Sequence, residues 1–493
     1  MKLIEIINYI KPEKILNNET VSSIDISDMS YNSKTAKQGD IFICLQGEHV
    51  DGHEFAHQAE QNGVFAVVAQ REIPGIAIPV LIVEDTKYEM ARIANILNDF
   101  PSSKLNLIGV TGTNGKTTVT HLIERIYEYD SQQCALIGTL GQKLRSDDKY
   151  TDAKHTTPQA PELQKTFKKM LDAGIKNVVM EVSSHALDQY RVGCCEFKGA
   201  VLTNLTQDHL DYHITMENYF KAKNKLFKEL KSGAYAVINL DDDRADDFIA
   251  SVPEEIRILT YGVRRPADIK AQNVTFTVDG ASFDVHTSLG EFKINLKMTG
   301  LFSVYNALAA FAAGIAGGID PKVCIKALED TKGVAGRFEV VTTKPLSIVD
   351  YAHTPDGLEN VLKAAREVVS DDGQLICVFG CGGDRDATKR PKMASIAENL
   401  ADKIIITSDN PRTEDPQQII TDIISGIHSY DTERIFVEID RRAAIEFAMR
   451  ISDPQDLILV AGKGHEDYQI LKDKTIHFDD KEEVLKAFDL YKN

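Results

Sequence analysis

Positions 111–118 read Thr-Gly-Thr-Asn-Gly-Lys-Thr-Thr, with two glycines, one lysine and several hydroxyls in a single short run. A buried-type strand (105–110) precedes the run and a helical pattern continues to about Tyr129. In that setting the backbone N–H groups of Gly112, Thr113, Asn114 and Gly115 can wrap the phosphates of ATP at a helix N-terminus. Lys116 is expected to neutralise the β and γ oxygens, Thr117 to reach magnesium, and Thr118 to lie in the same cradle. The run is a shortened form of the usual phosphate-loop spacing. Residues 178–181 form an apolar strand ending in Glu181, a hard oxygen ligand suited to magnesium if that strand neighbours the loop; the alternative is a strand-end acid facing solvent. The stretch 204–213, Asn-Leu-Thr-Gln-Asp-His-Leu-Asp-Tyr-His, is rich in ligand-type side chains. His209 is either one of those ligands or a structural histidine.

Positioning these groups takes several α/β layers. Short β-rich runs at 40–45, 64–68 and 80–83 alternate with helical periodicity and predict a small α/β domain, with Pro101-Ser102-Ser103 as a linker. Strand and helix patterns from 105 to about 329 predict a central, mostly parallel sheet. Beyond it, a β-branched strand followed by a polar glycine-rich loop and a helix recurs three times, with loops at 380–386, 408–412 and 461–466. Loops at the carboxyl ends of parallel strands share one edge, so these three are expected to converge into a specificity pocket.

The 493 residues exceed what one core holds and predict three domains. A net charge of −18 disfavours nucleic acid and anionic lipid as partners. Without a leader-type N-terminus or a long apolar run, a cytoplasmic protein that does not engage membranes is expected. The seven cysteines lack zinc spacing and read as small buried hydrophobes, with a redox pair at Cys194-Cys195 as the alternative.

Five motifs together resemble the Mur ligase family: 111–117, Glu-Val-Ser-Ser-His at 181–185, Asn-Leu-Thr-Gln-Asp-His at 204–209, Gly-Arg-Phe-Glu at 336–339 and Asp-Tyr-Ala-His-Thr-Pro at 350–355. Their order and spacing cover some nine tenths of the chain. The resemblance implies an α/β fold in the three-domain Mur ligase architecture, with a central P-loop ATPase-like parallel sheet and a C-terminal Rossmann-like domain. Residues 1–103 would bind the UDP end of the substrate, 104–336 ATP, and 337–493 the incoming amino acid. Within the family the chain most resembles the MurE branch, which extends UDP-N-acetylmuramoyl-L-alanyl-D-glutamate in peptidoglycan precursor synthesis. Asp409-Asn410-Pro411-Arg412 matches the motif of members that add meso-diaminopimelate.

By the same resemblance Arg385, Gly462 and Glu466 join Asp409, Asn410, Pro411 and Arg412 at the amino acid. Ser33, Thr156, Thr157, Ser183 and Arg191 meet the UDP-muramoyl peptide, and Asn306, Arg337 and Asp350 lie near ATP. Lys223 matches the lysine that the family carbamylates, so that Thr117, Glu181, His209 and the Lys223 carbamate would hold magnesium, with Lys116, Lys223 and His209 catalytic. Spacing alone reads Lys223 as a solvated helix lysine, and the alternative for Arg412 is a surface arginine paired with Glu414 or Asp415. The chain departs from the family pattern at Asn32-Ser33-Lys34, His155 and Ser303. A monomeric, ADP-forming ligase acting through an acyl-phosphate is expected. The alternatives are a Mur-type ligase for L-lysine or for another carboxylate, and a phosphate-loop switch that uses ATP only to change shape.

Overall fold

The computed structural model describes residues 1–47, 50–145, 148–151, 155–277 and 279–492. The chain divides into two compact units, residues 1–109 with 133–198 and residues 110–132 with 199–493.

In the first unit, strands Asp28–Ser30, Asp40–Ile43, Ala66–Ala69 and Val80–Ile82 pair in parallel, and Lys14–Leu16 adds antiparallel to Val80–Ile82. Ile41, Ile43, Ala66, Val68 and Leu81 point to one face, where they pack with residues of helices Leu3–Ile10 and Thr86–Leu97. Phe42, Val67, Val80 and Ile82 point to the other, as the period of two demands. The Asp85 carboxylate caps helix Thr86–Leu97 by accepting from the N–H groups of Lys87 and Tyr88. Strand Cys134–Gly138 in the same unit pairs parallel with Asn177–Glu181 and antiparallel with Gly141–Lys143. The expected linker at 101–103 is instead a 3-10 turn, Pro101–Lys104, with Pro101 and Ser102 buried. The Ser102 hydroxyl accepts from the Glu196 N–H at 3.2 Å, so these polar residues are held by partners and not by water.

The second unit begins inside strand Asn106–Thr111 and continues into helix Lys116–Tyr129. Strands Gly199–Leu202, Tyr235–Asn239, Arg257–Gly262 and Ile269–Thr277 pair in parallel, and Gly280–Thr287 and Gly290–Leu296 extend the sheet antiparallel. This antiparallel wing was not expected from a mostly parallel reading. Its first strand, Gly280–Thr287, alternates buried Phe283 and Val285 with half-buried Ser282, Asp284 and His286, which suits a sheet with one wet face. Helix Leu301–Ala316 is alanine-rich and buried along most of its length against helix Lys116–Tyr129. Gly314 sits at the crossing, where a methyl group would lie 2.7 Å from the Cys324 sulfur.

A six-stranded sheet closes this unit, in the order Glu339–Thr343, Leu346–Asp350, Leu457–Ala461, Leu375–Phe379, Lys403–Ile406, Ile435–Val437. The first strand is antiparallel and the rest are parallel, with an apolar cluster on each face. Strands Leu457–Ala461, Leu375–Phe379 and Lys403–Ile406 are consecutive neighbours, so the three polar loops that follow them leave the same edge. Among the described residues no helix is long and apolar enough to cross a membrane.

Candidate active site

The phosphate loop is fixed mainly by backbone contacts. Gly112 has φ +149, and a Cβ there would run into the Thr203 hydroxyl; Gly115 has φ +85, and a Cβ there would run into the Asn306 amide oxygen. No L side chain fits at either position without strain. The Thr113 N–H donates to the Asn204 carbonyl and the Asn114 N–H to the Asn204 side-chain oxygen, both at 2.9 Å. The Thr203 hydroxyl donates to the Asn114 carbonyl at 2.6 Å. The loop is thus shaped before any ligand arrives, by a strand end that leads into the ligand-rich stretch 204–213, although Thr203 and Asn204 were given no role of their own in the sequence reading.

Two lysine amines meet this loop. Lys116 Nζ donates to the carbonyls of Gly112 (2.9 Å) and Thr113 (2.8 Å), and Lys223 Nζ donates to the same Gly112 carbonyl at 2.7 Å. Lys223 is only 1% exposed and lies 4.7 Å from the centre of the Tyr219 ring, which rules out the solvated-lysine reading. Burial, reinforced by the nearby Lys116 charge, holds the Lys223 amine well below the ordinary lysine range. Thr117 is buried, and its hydroxyl accepts from Arg337 Nη2 at 3.0 Å.

Beside the loop a cavity of about 390 Å³ is lined by Thr118, Asn306, Arg337, Asp350, Asp356 and Tyr305, among others. Its size suits a nucleotide-sized ligand. Asp350 accepts from the N–H groups of Phe338 (2.6 Å) and Ala352 (2.7 Å), yet burial pushes its carboxyl up to about 6 against the pull of Arg337. Asp356 accepts from the Asn114 amide at 2.8 Å and is a lining residue that the sequence reading missed.

His209 has φ +54, and its Nε2 stands 3.3 Å from the buried Asp208 carboxylate, which also faces His353 Nε2 at 3.9 Å. Burial would raise the Asp208 pKa, but His209, Lys389 and His353 together hold it below the carboxylate range. His353 is lowered to about 4 by burial and by Lys389, so it is neutral at pH 7. Among the described residues no three His, Cys, Asp or Glu side chains cluster as a metal site.

In the first unit Glu181 is 1% exposed, so it is not a solvent-facing acid. Its carboxylate accepts from the Thr139 N–H (2.8 Å) and hydroxyl (3.0 Å). The Thr156 hydroxyl meets that of Thr139 at 3.1 Å, Thr157 donates to the Glu181 carbonyl at 2.9 Å and accepts from the Ser183 N–H at 3.1 Å. Arg191 Nη1 donates to the Thr157 carbonyl at 3.1 Å, so Thr156, Thr157, Glu181, Ser183 and Arg191 form one cluster. Ser33 is anchored elsewhere in this unit, donating to Gln58 at 2.8 Å.

The amino-acid candidates gather at the edge of the six-stranded sheet. Arg412 Nη1 donates to the Gly383 carbonyl at 2.7 Å, while Glu414 pairs with Arg390 at 2.9 Å. The surface pairing of Arg412 with Glu414 is therefore not made. Pro411 is pressed so closely onto Gly383 that a Cβ there would enter the Pro411 carbonyl. Asn410 donates its amide N–H to Glu466 at 2.8 Å and accepts from the Ile470 N–H at 2.9 Å. Gly462, at φ +122, leaves room for the Asp409 carboxylate, which would stand 2.9 Å from a Cβ. Arg385 lies at the exposed margin, donating to the Asp384 carbonyl at 2.9 Å.

Comparison with known proteins shows the family. The profile of the Mur ligase family catalytic domain matches residues 25–97, that of the Mur ligase middle domain 110–314, and that of the Mur ligase glutamate ligase domain 336–464. The UDP-N-acetylmuramoyl-L-alanyl-D-glutamate--2,6-diaminopimelate ligase of Listeria monocytogenes is 44% identical, with 99% of each chain covered; that of Bacillus cereus is also 44% identical, with 94% of each covered. A solved structure of a ligase of that name superposes with a TM-score of 0.70 at 36% identity over 99% of each chain. The folylpolyglutamate synthase of Mycobacterium tuberculosis shares the fold alone, with a TM-score of 0.63 at 18% identity over 76% of this chain and 92% of that one. With a phosphate loop, a buried lysine beside it and near-full-length relatives of this kind, the chain belongs to the Mur ligase family.

Proposed function

We propose that this chain is the ATP-dependent ligase that adds meso-diaminopimelate to the D-glutamate carboxylate of UDP-N-acetylmuramoyl-L-alanyl-D-glutamate in peptidoglycan precursor synthesis. The observation that carries this reading is that one compact unit holds both a preformed phosphate loop with two lysine amines and a set of charged loops at one sheet edge, with Arg412 on the Gly383 carbonyl and Glu466 on the Asn410 amide. Residues 1–103 serve the UDP end of the substrate, 104–336 ATP, and 337–493 the amino acid, an assignment supported by the three matched segments. The enzyme acts in the cytoplasm, where ATP is available, and as a monomer, since both halves of the chemistry lie in one chain.

The D-glutamate side-chain carboxylate attacks the γ-phosphorus of ATP, the bond to ADP breaks, and an acyl-phosphate forms. Lys116 leaves the loop carbonyls to meet the transferring oxygens, and the loop N–H groups hold the remaining phosphates. The free amine of meso-diaminopimelate then attacks the acyl carbon, and phosphate leaves. Arg337 and Asp350 orient the nucleotide in the cavity together with Asn306. Thr156, Thr157, Ser183, Arg191 and Ser33 hold the UDP-muramoyl peptide.

By the family likeness Thr117, Glu181, His209 and a Lys223 carbamate would hold magnesium, and hydroxyl, carboxylate and carbamate oxygens are the hard donors that ion takes. When bound, it supplies charge neutralisation at the phosphate oxygens. The depressed Lys223 pKa supports the modification, because only the neutral amine adds to carbon dioxide, forming the N–C bond and releasing a proton.

The test uses UDP-muramoyl dipeptide with oxygen-18 in its D-glutamate side-chain carboxylate. Incubation with ATP and meso-diaminopimelate should yield ADP and tripeptide in equal amounts, with one label in the released phosphate. ADP release without a peptide product would make the chain a switch, and unlabelled phosphate would exclude the acyl-phosphate.

A further inference from the structure

Against Asp409, Asn410 and Glu466 the amino-acid pocket contains a cation that the motif reading did not single out. Lys463 is fully buried, and its Nζ lies 3.0 Å from Glu466 Oε2, 3.5 Å from Asn410 Oδ1 and 3.9 Å from Asp409 Oδ1. The Tyr468 ring covers it at 5.4 Å. The neighbouring Arg441 is committed elsewhere, in a closed fork to the buried Asp480 at 2.8 and 2.7 Å. That pair is neutral in itself. At the exposed margin Arg385 is offset by the adjoining Asp384 carboxylate, and the remaining charges facing the pocket are Asp409 and Glu466 against Lys463 and Arg412, which cancel. Glu466 remains 14% exposed and Asp409 8%, so both can still meet a ligand.

We infer that Lys463 is a specificity-determining residue: its buried ammonium cancels one pocket carboxylate, so that the site accepts a zwitterionic side-chain end and turns away a lone cation. This role rests on the assignment of the 409–412 loop to the incoming amino acid. The far end of meso-diaminopimelate carries one ammonium and one carboxylate and leaves the balance at zero. The far end of L-lysine brings an uncompensated positive charge into a site already holding two cations, and like charges brought together in a partly dry pocket disfavour binding. Arg412 reads the carboxylate directly. Lys463 acts on the charge sum, and the two effects are separable.

The experiment measures kcat/KM for meso-diaminopimelate and for L-lysine, at saturating ATP and UDP-muramoyl dipeptide, in the wild type, in Lys463→Met and in the double variant Lys463→Met with Glu466→Gln. Removing the ammonium leaves the pocket one negative charge in excess, which attracts the lysine side chain. The preference for diaminopimelate should therefore fall by about tenfold or more. Removing Glu466 as well restores the balance, and the preference should recover most of that loss. An unchanged ratio in Lys463→Met, or a further fall in the double variant, would overturn the role. Should the single variant fail to fold because its acids are left uncompensated, the double variant decides alone: a ratio near that of the wild type supports the role and a collapsed ratio overturns it. A wild type that ligates neither amino acid would overturn the site assignment and this role with it.

Discussion

The phosphate loop and the amino-acid pocket lie in the same unit but are built by opposite means. The loop is one contiguous run, shaped by glycines at positive φ and tied by main-chain bonds to Thr203 and Asn204. The pocket is drawn from three loops, at 380–386, 408–412 and 461–466, that meet because their strands are neighbours. On the proposed assignment the loop recognises phosphate through geometry, whereas the pocket recognises an amino acid through the sum and placement of charged side chains. Damage to the loop should therefore abolish turnover regardless of the amino acid, and damage to the pocket should change which amino acid is used.

Lys116→Ala should have the largest effect. Loss of a group that stabilises transferring charge lowers turnover by about 10³-fold, while the melting temperature stays near that of the wild type, since Lys116 packs against no core. Near-normal turnover in a folded variant would remove the phosphate-loop half of the comparison. Lys223→Ala should come next, with a loss of roughly 10²-fold or more, partly recovered by millimolar short carboxylic acids that replace the carbamate oxygens. A bare ammonium retained at Lys223 in a substrate-bound crystal structure would argue against the modification.

Arg412→Ala sharpens the contrast from the pocket side. The KM for meso-diaminopimelate should rise by about tenfold to a hundredfold, as expected for a lost charge-assisted bond, while the KM for ATP stays where it was. Steady-state kinetics with each amino acid checks this, and full discrimination kept by the variant would mean that Arg412 does not read the carboxylate.

The smallest expected effect concerns stability. The Asp350 carboxyl is raised to about 6 by burial, so the folded state favours its protonated form. Its stabilising contribution is fully present below the ordinary value of 3.8 and is lost as pH rises through about 6. The gap corresponds to roughly 3 kcal/mol at most. Asp350→Asn should flatten the decline in melting temperature between about pH 4 and pH 7 by a few degrees. Identical pH slopes in the two proteins would show that this buried carboxyl does not titrate as described.

The two regions also differ in how legible they were. Helix Lys116–Tyr129 and the strand before it stood out because strand, glycine loop and helix follow one another without interruption. The burial of Lys223 was misread, because the Lys221-Ala222-Lys223 spacing suggests a solvated lysine, although a signal was present. In helix Met216–Lys228 the apolar stripe Tyr219, Ala222, Leu226 passes through position 223, which places the amine on the core side. Lys463 escaped notice because a lysine between two glycines gives no local sign of burial, and its environment is completed only when Asp409 and Asn410 arrive from a distant loop. The antiparallel wing at 280–296 was missed for a related reason: strand pairing is decided by partners and not by propensity. The turn at 101–104 looked like a linker because prolines and serines usually mark one, and only tertiary contacts through Ser102 reveal it as buried.

The most direct test of the central claim is amino-acid-dependent ADP release, measured with ATP and UDP-muramoyl dipeptide present and meso-diaminopimelate, L-lysine or L-ornithine added separately. The account predicts rapid ADP release matched by tripeptide with meso-diaminopimelate and release at least about 10³-fold slower with the other two, since a site built around a charged partner rejects an analogue that lacks it. Equal or faster release with L-lysine, or ADP release that ignores the amino acid, would contradict it.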